Sequence, residues 1–313
     1  MTTREVEHEI TITAPAPEVY RLLAEVGNWP LIFPPTLHAD RVEGDGTWER
    51  IRIWATANGE PKNWTSWREL DPEALRITFR QEVTTPPVAA MGGTWIIEPL
   101  GARESRVRLR HDYRAVGDDP HDLVWIDRAV DTNSRKELAA LKENVEAAHA
   151  ARELTFSFED SVLIDGSAKD AYDFVHDAHL WPQRLPHVAT VHLTETSPGL
   201  QTLRMDTQAK DGTTHTTSSH RITFPHHTII YKQTTLPALM THHTGRWTFH
   251  PTPQGLTATS HHTITLNPHN IATVLGPHTT THDARTYLHT ALSTNSLATL
   301  HHAKAFAENR RRP

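Results

Sequence analysis

The feature that most limits what this chain can fold into is an internal repeat. Laid against residues 153–313, residues 1–150 carry the same short motifs in the same order, with a period of about 152 residues. Asn28-Trp29-Pro30 falls on Leu180-Trp181-Pro182, and Ser66-Trp67-Arg68 falls on Ser219-His220-Arg221. Thr84-Thr85-Pro86-Pro87 matches Thr234-Thr235-Leu236-Pro237, and Gly93-Thr94-Trp95 matches Gly245-Arg246-Trp247. His111 matches His262, and Thr132-Asn133-Ser134 matches Thr294-Asn295-Ser296. A period this long does not suit a solenoid unit and does suit duplicated domains. Two domains are expected, 1–150 and 153–313, each long enough to bury its own core.

The order of elements repeats as well. Glu7–Thr13 and Leu154–Ile164 alternate and read as strands. Helices follow over Pro17–Glu25 and, after the N-cap candidate Ser167, over Ala168–Ala178. Trp29-Pro30 and Trp181-Pro182 then interrupt the helical pattern. Six strand candidates come next in each copy, separated by turns such as Gly44-Asp45-Gly46, Asn58-Gly59 and Asp211-Gly212. Each copy closes with a long helix; in the first, Leu123, Ile126, Val130, Leu138, Leu141 and Val145 keep helical spacing. The expected fold class is α+β. Each domain is expected to be an antiparallel sheet curled around its C-terminal helix, with an internal cavity between the two.

Composition narrows the function. Cysteine is absent, which excludes disulfides and thiolate metal sites. The opening MTTREVEHEI has no signal-like apolar segment, and no apolar run approaches the length of a membrane span. A cytoplasmic protein with no membrane partner is expected. The formal charge of -6, with no long basic run, argues against nucleic acid. No Gly-x-Gly-x-x-Gly or phosphate loop occurs, so no nucleotide cofactor is expected. Histidine is crowded into the second half, with 19 of 24 at or beyond His176. Adjacent pairs such as His226-His227, His242-His243 and His261-His262 point to opposite faces of a strand and lack His-Glu-x-x-His spacing, so no metal site is expected.

The candidate chemistry lies in Asn63–Pro72. Alternation puts Trp64, Ser66 and Arg68 on one strand face, a poor core face but a reasonable wall for a pocket holding an oxygen-bearing, partly apolar molecule. The frame recurs at Thr217, Ser219 and Arg221. A guanidinium suits a developing enolate oxygen because it stabilises negative charge without giving up a proton. The plainer reading of Arg68 is a surface arginine paired with Glu69 or Glu82. Ser66 and Ser219 could orient a substrate oxygen or a water; neither sits on the strand-to-helix elbow of a nucleophile. Trp64 reads equally as pocket wall or core. Trp29 and Phe33, and Trp181 in the second copy, fix a loop that could rim the cavity. His111 and His262, on the last strand, could pass a proton or simply face solvent.

Taken together, these segments resemble the two-domain aromatase/cyclases of bacterial aromatic (type II) polyketide synthesis, members of the START-like, helix-grip superfamily. The resemblance rests on Val26-Gly27-Asn28-Trp29-Pro30, Trp64-Thr65-Ser66-Trp67-Arg68, Thr85-Pro86-Pro87, Gly93-Thr94-Trp95 and Thr132-Asn133-Ser134, and it spans nearly the whole chain. It implies tandem helix-grip domains and assigns pocket roles to Arg68, Ser66 and Trp64. In the second copy it assigns them to Arg221 and Ser219, with Thr217 where the tryptophan would stand. It further implies closure of a first ring between C7 and C12 of a poly-β-ketone, then loss of water. The partners it implies are an acyl carrier protein bearing the chain and the ketoreductase and ketosynthase of the same pathway; it implies no cofactor. A hydrophobic-ligand carrier and a chaperone-like component of a biosynthetic complex are the alternatives.

Overall fold

The computed structural model describes residues 3–57, 59–151, 154–208 and 214–311. The expected turn at Asp211-Gly212, and Asn58 of the turn before Gly59, lie outside the described residues. The chain divides into two compact units, Met1–Ala150 and Ala151–Pro313.

The first unit runs β1 (Arg4–Ile12), α1 (Ala16–Ala24), α2 (Trp29–Ile32), β2 (Thr36–Gly44), β3 (Trp48–Ala57), β4 (Glu60–Asp71), β5 (Arg76–Gln81), β6 (Val88–Gly101), β7 (Glu104–Ala115) and α3 (Pro120–Ala151). The second runs β8 (Thr155–Ile164), α4 (Ala168–His176), α5 (Trp181–Arg184), β9 (Val188–Ser197), β10 (Leu200–Gln208), β11 (Thr214–Phe224), β12 (Thr228–Thr235), β13 (Met240–Thr252), β14 (Gly255–Leu266), α6 (Ile271–Leu275) and α7 (Thr281–Arg311). In α1, Ala16, Val19, Tyr20 and Leu23 recur at three- and four-residue spacing and are all buried. Ser167 caps α4 by accepting the Asp170 amide at 3.0 Å. Trp29-Pro30 does more than interrupt a helix. After a single 3₁₀ turn it opens α2, where the proline occupies the first turn and its missing N–H costs nothing.

Each unit has one seven-stranded antiparallel sheet, ordered β1-β7-β6-β5-β4-β3-β2 in the first and β8-β14-β13-β12-β11-β10-β9 in the second. This corrects the expectation of a sheet curled around its helix. A sheet that closes must pair its outermost strands, and β1 with β2, like β8 with β9, stand at opposite open edges. The far half of β2 is exposed accordingly. The expectation came from the order of elements, which does not say whether the edge strands meet. Instead α3 is tied to one edge of its sheet and to α2: Lys142 donates to the Thr11 carbonyl at 2.7 Å and Asn144 to the Ile32 carbonyl at 2.8 Å. The tandem helix-grip-like plan stands; the curl does not.

The core of the first unit sits between sheet and helices, where Ile77, Trp95, Ile97, Val107 and Leu109 meet Val19, Leu23, Leu138, Leu141 and Val145. In the second, Ile229, Trp247, Phe249 and Ala258 meet Ala171, Phe174, Leu300, Ala303 and Ala307. Two surface concavities, of about 410 Å³ beside Thr190, His192 and Arg204 and about 570 Å³ between β1 and α3, contain neither Arg68 nor Arg221. Neither is the internal cavity expected between sheet and helix.

Candidate active site

Alternation along β4 holds as read: Ser66 and Arg68 are buried, Trp64 is half-buried, and Trp67 and Glu69 are exposed. Arg68 does not present its donors to open space. Its Nε donates to Glu49 Oε1 at 2.8 Å, Nη1 to the Leu23 carbonyl at 3.0 Å and Nη2 to the Ala24 carbonyl at 2.6 Å, with a further, shorter bond from Nη2 to Glu49. Trp29 lies over the guanidinium at 5.3 Å and donates its indole N–H to the same Leu23 carbonyl at 3.0 Å. The group therefore satisfies carbonyls at the end of α1, where a cation is also favoured by the helix dipole. Burial lowers the arginine's pKa, and Glu49 opposes that shift.

The second unit repeats the clamp. Arg221 donates to the Val175 carbonyl at 2.8 Å and the His176 carbonyl at 3.3 Å under Trp181, whose indole donates to the Phe174 carbonyl at 3.2 Å. The carboxylate differs. Gln201 stands opposite Arg221 in the ladder, where Glu49 stands opposite Arg68. With Glu195, Asp177 and Tyr172 acting only at longer range, burial brings Arg221 down to about 10. Ser66 donates to the Arg80 carbonyl at 3.1 Å, while Ser219 and Thr217 are buried on β11. Phe33 is buried edge-on against Trp29, with ring centroids 5.7 Å apart.

The helix-facing side of the first sheet carries a second group of residues. Trp64, Phe79, Met91 and His111 lie there half-buried rather than sealed. His111 Nδ1 is 3.3 Å from the Ser134 hydroxyl on α3, its ring meets Phe79 edge-on at 5.6 Å, and its Nε2 has no protein partner among the described residues. Desolvation, with lesser help from His8, lowers its pKa to about 4, so the ring is neutral at ordinary pH.

In the second unit the equivalent space is filled by polar groups. Tyr231 replaces Phe79 and His243 replaces Met91, as their shared partners in the ladders show. His262 is bonded at both nitrogens: Nε2 to Ser296 at 2.7 Å and Ser260 at 3.1 Å, Nδ1 to Tyr231 and to His243, each at 3.0 Å. Burial lowers His243 and His262 to about 3. His111 thus keeps a free ring nitrogen, and His262 does not. Among the described residues no cluster of three or more His, Asp or Glu side chains has the arrangement of a metal site.

The comparisons with known proteins bear on the whole chain. The family described as polyketide cyclase / dehydrase and lipid transport matches twice, over residues 3–146 and 155–300. The chain belongs to that family. It is 58% identical over 305 residues to the granaticin polyketide synthase bifunctional cyclase/dehydratase of Streptomyces virginiae, covering 95% of this chain and 98% of the relative. It is 45% identical over 313 residues to the actinorhodin polyketide synthase bifunctional cyclase/dehydratase of Streptomyces coelicolor, covering 96% of each. Among solved structures, the di-domain aromatase/cyclase BexL from the BE-7585A biosynthetic pathway superposes with a TM-score of 0.92 at 66% identity, over 99% of this chain and 100% of that one. This aromatase/cyclase is therefore an enzyme of polyketide biosynthesis with cyclase/dehydratase activity of the family's kind. No helix among the described residues is long and apolar enough to cross a membrane.

Sequence reasoning about this aromatase/cyclase missed Glu49, Tyr231 and His243. Register alone decides that Arg68 meets Glu49 on β3 rather than Glu69 or Glu82; Glu82 instead accepts from Arg50 at 2.8 Å. Comparing the copies at Phe79/Tyr231 and Met91/His243, where apolar residues become polar, would have found the other two.

Proposed function

We propose that this enzyme closes the first ring of an acyl-carrier-protein-bound, ketoreduced poly-β-ketone by a C7–C12 aldol reaction and then removes water to aromatise it. The chain would arrive from the ketosynthase and ketoreductase of the same pathway. The relatives' bifunctional cyclase/dehydratase activity and their polyketide synthase setting support this reading. The observation that carries it is His111, neutral, half-buried beside Phe79, with Nε2 unpartnered on the covered face of the sheet.

In this reading Trp64, Phe79 and Met91 give the reactive chain an apolar surface against which two distant carbons are brought together, removing much of the entropic barrier. With the Ser134 hydroxyl donating to Nδ1, the proton of His111 sits on Nε2. That N–H donates to the substrate carbonyl and to the enolate it becomes. In the aldol step the C–H bond of the nucleophilic methylene breaks to give that enolate, its proton passing to solvent water. The enolate carbon bonds the second carbonyl carbon, and that carbonyl's oxygen takes a proton back from water to become the hydroxyl later lost. Arg68 and Arg221 serve the reaction indirectly, by locking the Trp29 and Trp181 segments to α1 and α4; Ser66 and Ser219 hold the strands that carry them. His262, with both nitrogens engaged, maintains its unit rather than meeting substrate.

The test is reconstitution of the full chain with a minimal polyketide synthase and a ketoreductase, with products identified by mass. The wild type is expected to convert a mixture of aberrantly cyclised products into one aromatised ring, His111→Ala to lose that conversion, and His262→Gln to retain most of it. A product profile indistinguishable from the reaction without this protein would overturn the reading.

A further inference from the structure

The buried stripe of α3 contains one side chain that the account above leaves idle. Ile126 and Val130 are buried, and Glu137 follows them at eleven and seven residues, which returns it to the same helical face. An apolar residue is expected at such a position. Glu137 is half-buried there and has no hydrogen-bond or ion-pair partner among the described residues. It stands one turn beyond Ser134, which contacts His111. Helical side chains lean toward the N-terminus, so its carboxyl is directed back over the turn that carries Ser134. Other titratable groups along α3 pair with the first sheet: Tyr113 on β7 and Arg4 on β1 both donate to Asp127. His8 on β1 is 2.8 Å from Asp131, and Asp131 also accepts from Arg135. The equivalent position in the second unit is Thr299, whose hydroxyl is satisfied by the Asn295 carbonyl at 2.9 Å.

We propose that Glu137 is the proton-transfer group of the dehydration, acting beside His111 in the first unit; this rests on the function proposed above. The Glu137 carboxylate takes a proton from the carbon next to the substrate carbonyl. The C–H bond breaks and its electron pair forms an enolate, whose oxygen accepts from His111 Nε2–H. The enolate then collapses to a carbon–carbon double bond and expels the β-hydroxyl. The departing oxygen takes the same proton from Glu137, so water leaves and the carboxylate is restored. Desolvation pushes the carboxyl up to about 7, which suits a group that must both take and give a proton near neutrality.

Glu137→Gln preserves shape, and Glu137→Thr installs the residue that the second unit already carries at this place. In the reconstituted system both are expected to slow dehydration about 10²-fold or more, the scale of a lost general acid–base. A cyclised product heavier by one water should accumulate. The wild-type dehydration rate should fall as pH drops below about 7, where the carboxylate is lost, and the Glu137→Gln variant should lack that limb. Glu137→Asp is expected to restore part of the rate. Melting temperatures at or above wild type would separate these effects from misfolding. Wild-type dehydration with an unchanged pH profile in both variants, while His111→Ala remains inactive, would overturn the role of Glu137 and leave the proposed function standing. Failure of the wild type itself to aromatise would overturn both.

Discussion

Replacing Glu49 by Gln puts into the first unit the side chain that faces the clamp arginine in the second. Glu49 and Arg68 are 5% and 3% exposed, so their ion pair is held away from water. Removing one member of such a pair leaves an uncompensated charge and typically costs about 3–5 kcal/mol. Glutamine keeps one acceptor oxygen, and Arg68 keeps the Leu23 and Ala24 carbonyls, so the lower end, about 3 kcal/mol, is expected. For a unit of this size that corresponds to a fall of roughly 6–12 °C in the first unit's melting temperature. The second unit has no such loss because Gln201 donates to Glu195 at 2.9 Å, which leaves a carboxylate near Arg221. Differential scanning calorimetry of the full chain, with hydrogen exchange to assign the transition, measures the shift. Exchange should also quicken at the C-terminal end of α1. A first-unit transition within 1–2 °C of wild type would refute the idea that this pair holds the α1 terminus and the Trp29 segment.

Acid should unfold the second unit first. His242, His243 and His262 are each lowered to about 3 by burial, against 6.5 in an open chain, whereas the first unit has His111 at about 4. A base with a lowered folded pKa contributes fully above 6.5 and loses that contribution as pH falls toward the folded value; at pH 5 the loss is about 2 kcal/mol per histidine. Hydrogen exchange across pH 7 to 4 should show the second unit opening at the higher pH, and His243→Met should narrow the gap; simultaneous opening would contradict the assignment. Ser167→Ala, which removes the α4 cap, should cost about 1 kcal/mol, read as a drop of roughly 2–4 °C in the second unit's transition.

The sequence made the duplication legible because Trp-Pro, Ser-x-Arg and Gly-x-Trp each serve a local geometric need that both copies share. Strand alternation along β4 was legible for the same reason, since period two is fixed by the backbone. The contacts of the arginine were not. Recurrence in two diverged copies suits chemistry and suits a helix-terminus clamp equally. Which reading applies depends on a carbonyl 45 residues away in sequence, at Leu23, that no motif names. The curl was misread because the order of one strand, a short helix, six strands and a long helix says nothing about whether the strand edges meet. Glu137 was not legible because apolar residues at helical spacing say nothing of an acid that shares their face.

The contacts between the long helices and the first strand show how far two copies can drift without losing their frame. In the first unit His8 on β1 meets Asp131 on α3 at 2.8 Å; in the second, Asp160 on β8 meets Ser293 on α7 at 2.7 Å. The carboxylate has moved from helix to strand, and a hydrogen bond still joins the same two positions. Half-buried polar positions of this kind tolerate exchange best when both partners change together, because a single change leaves a partly desolvated group unmet. His111 and His262 follow the opposite course. Their strand position is the same, but in the second unit Tyr231 and His243 engage the ring nitrogen that the first unit leaves unpartnered. The two units therefore differ in the histidine's availability rather than in its identity. That is why the residue matched most plainly between the copies, a histidine facing a serine, need not do the same work in each.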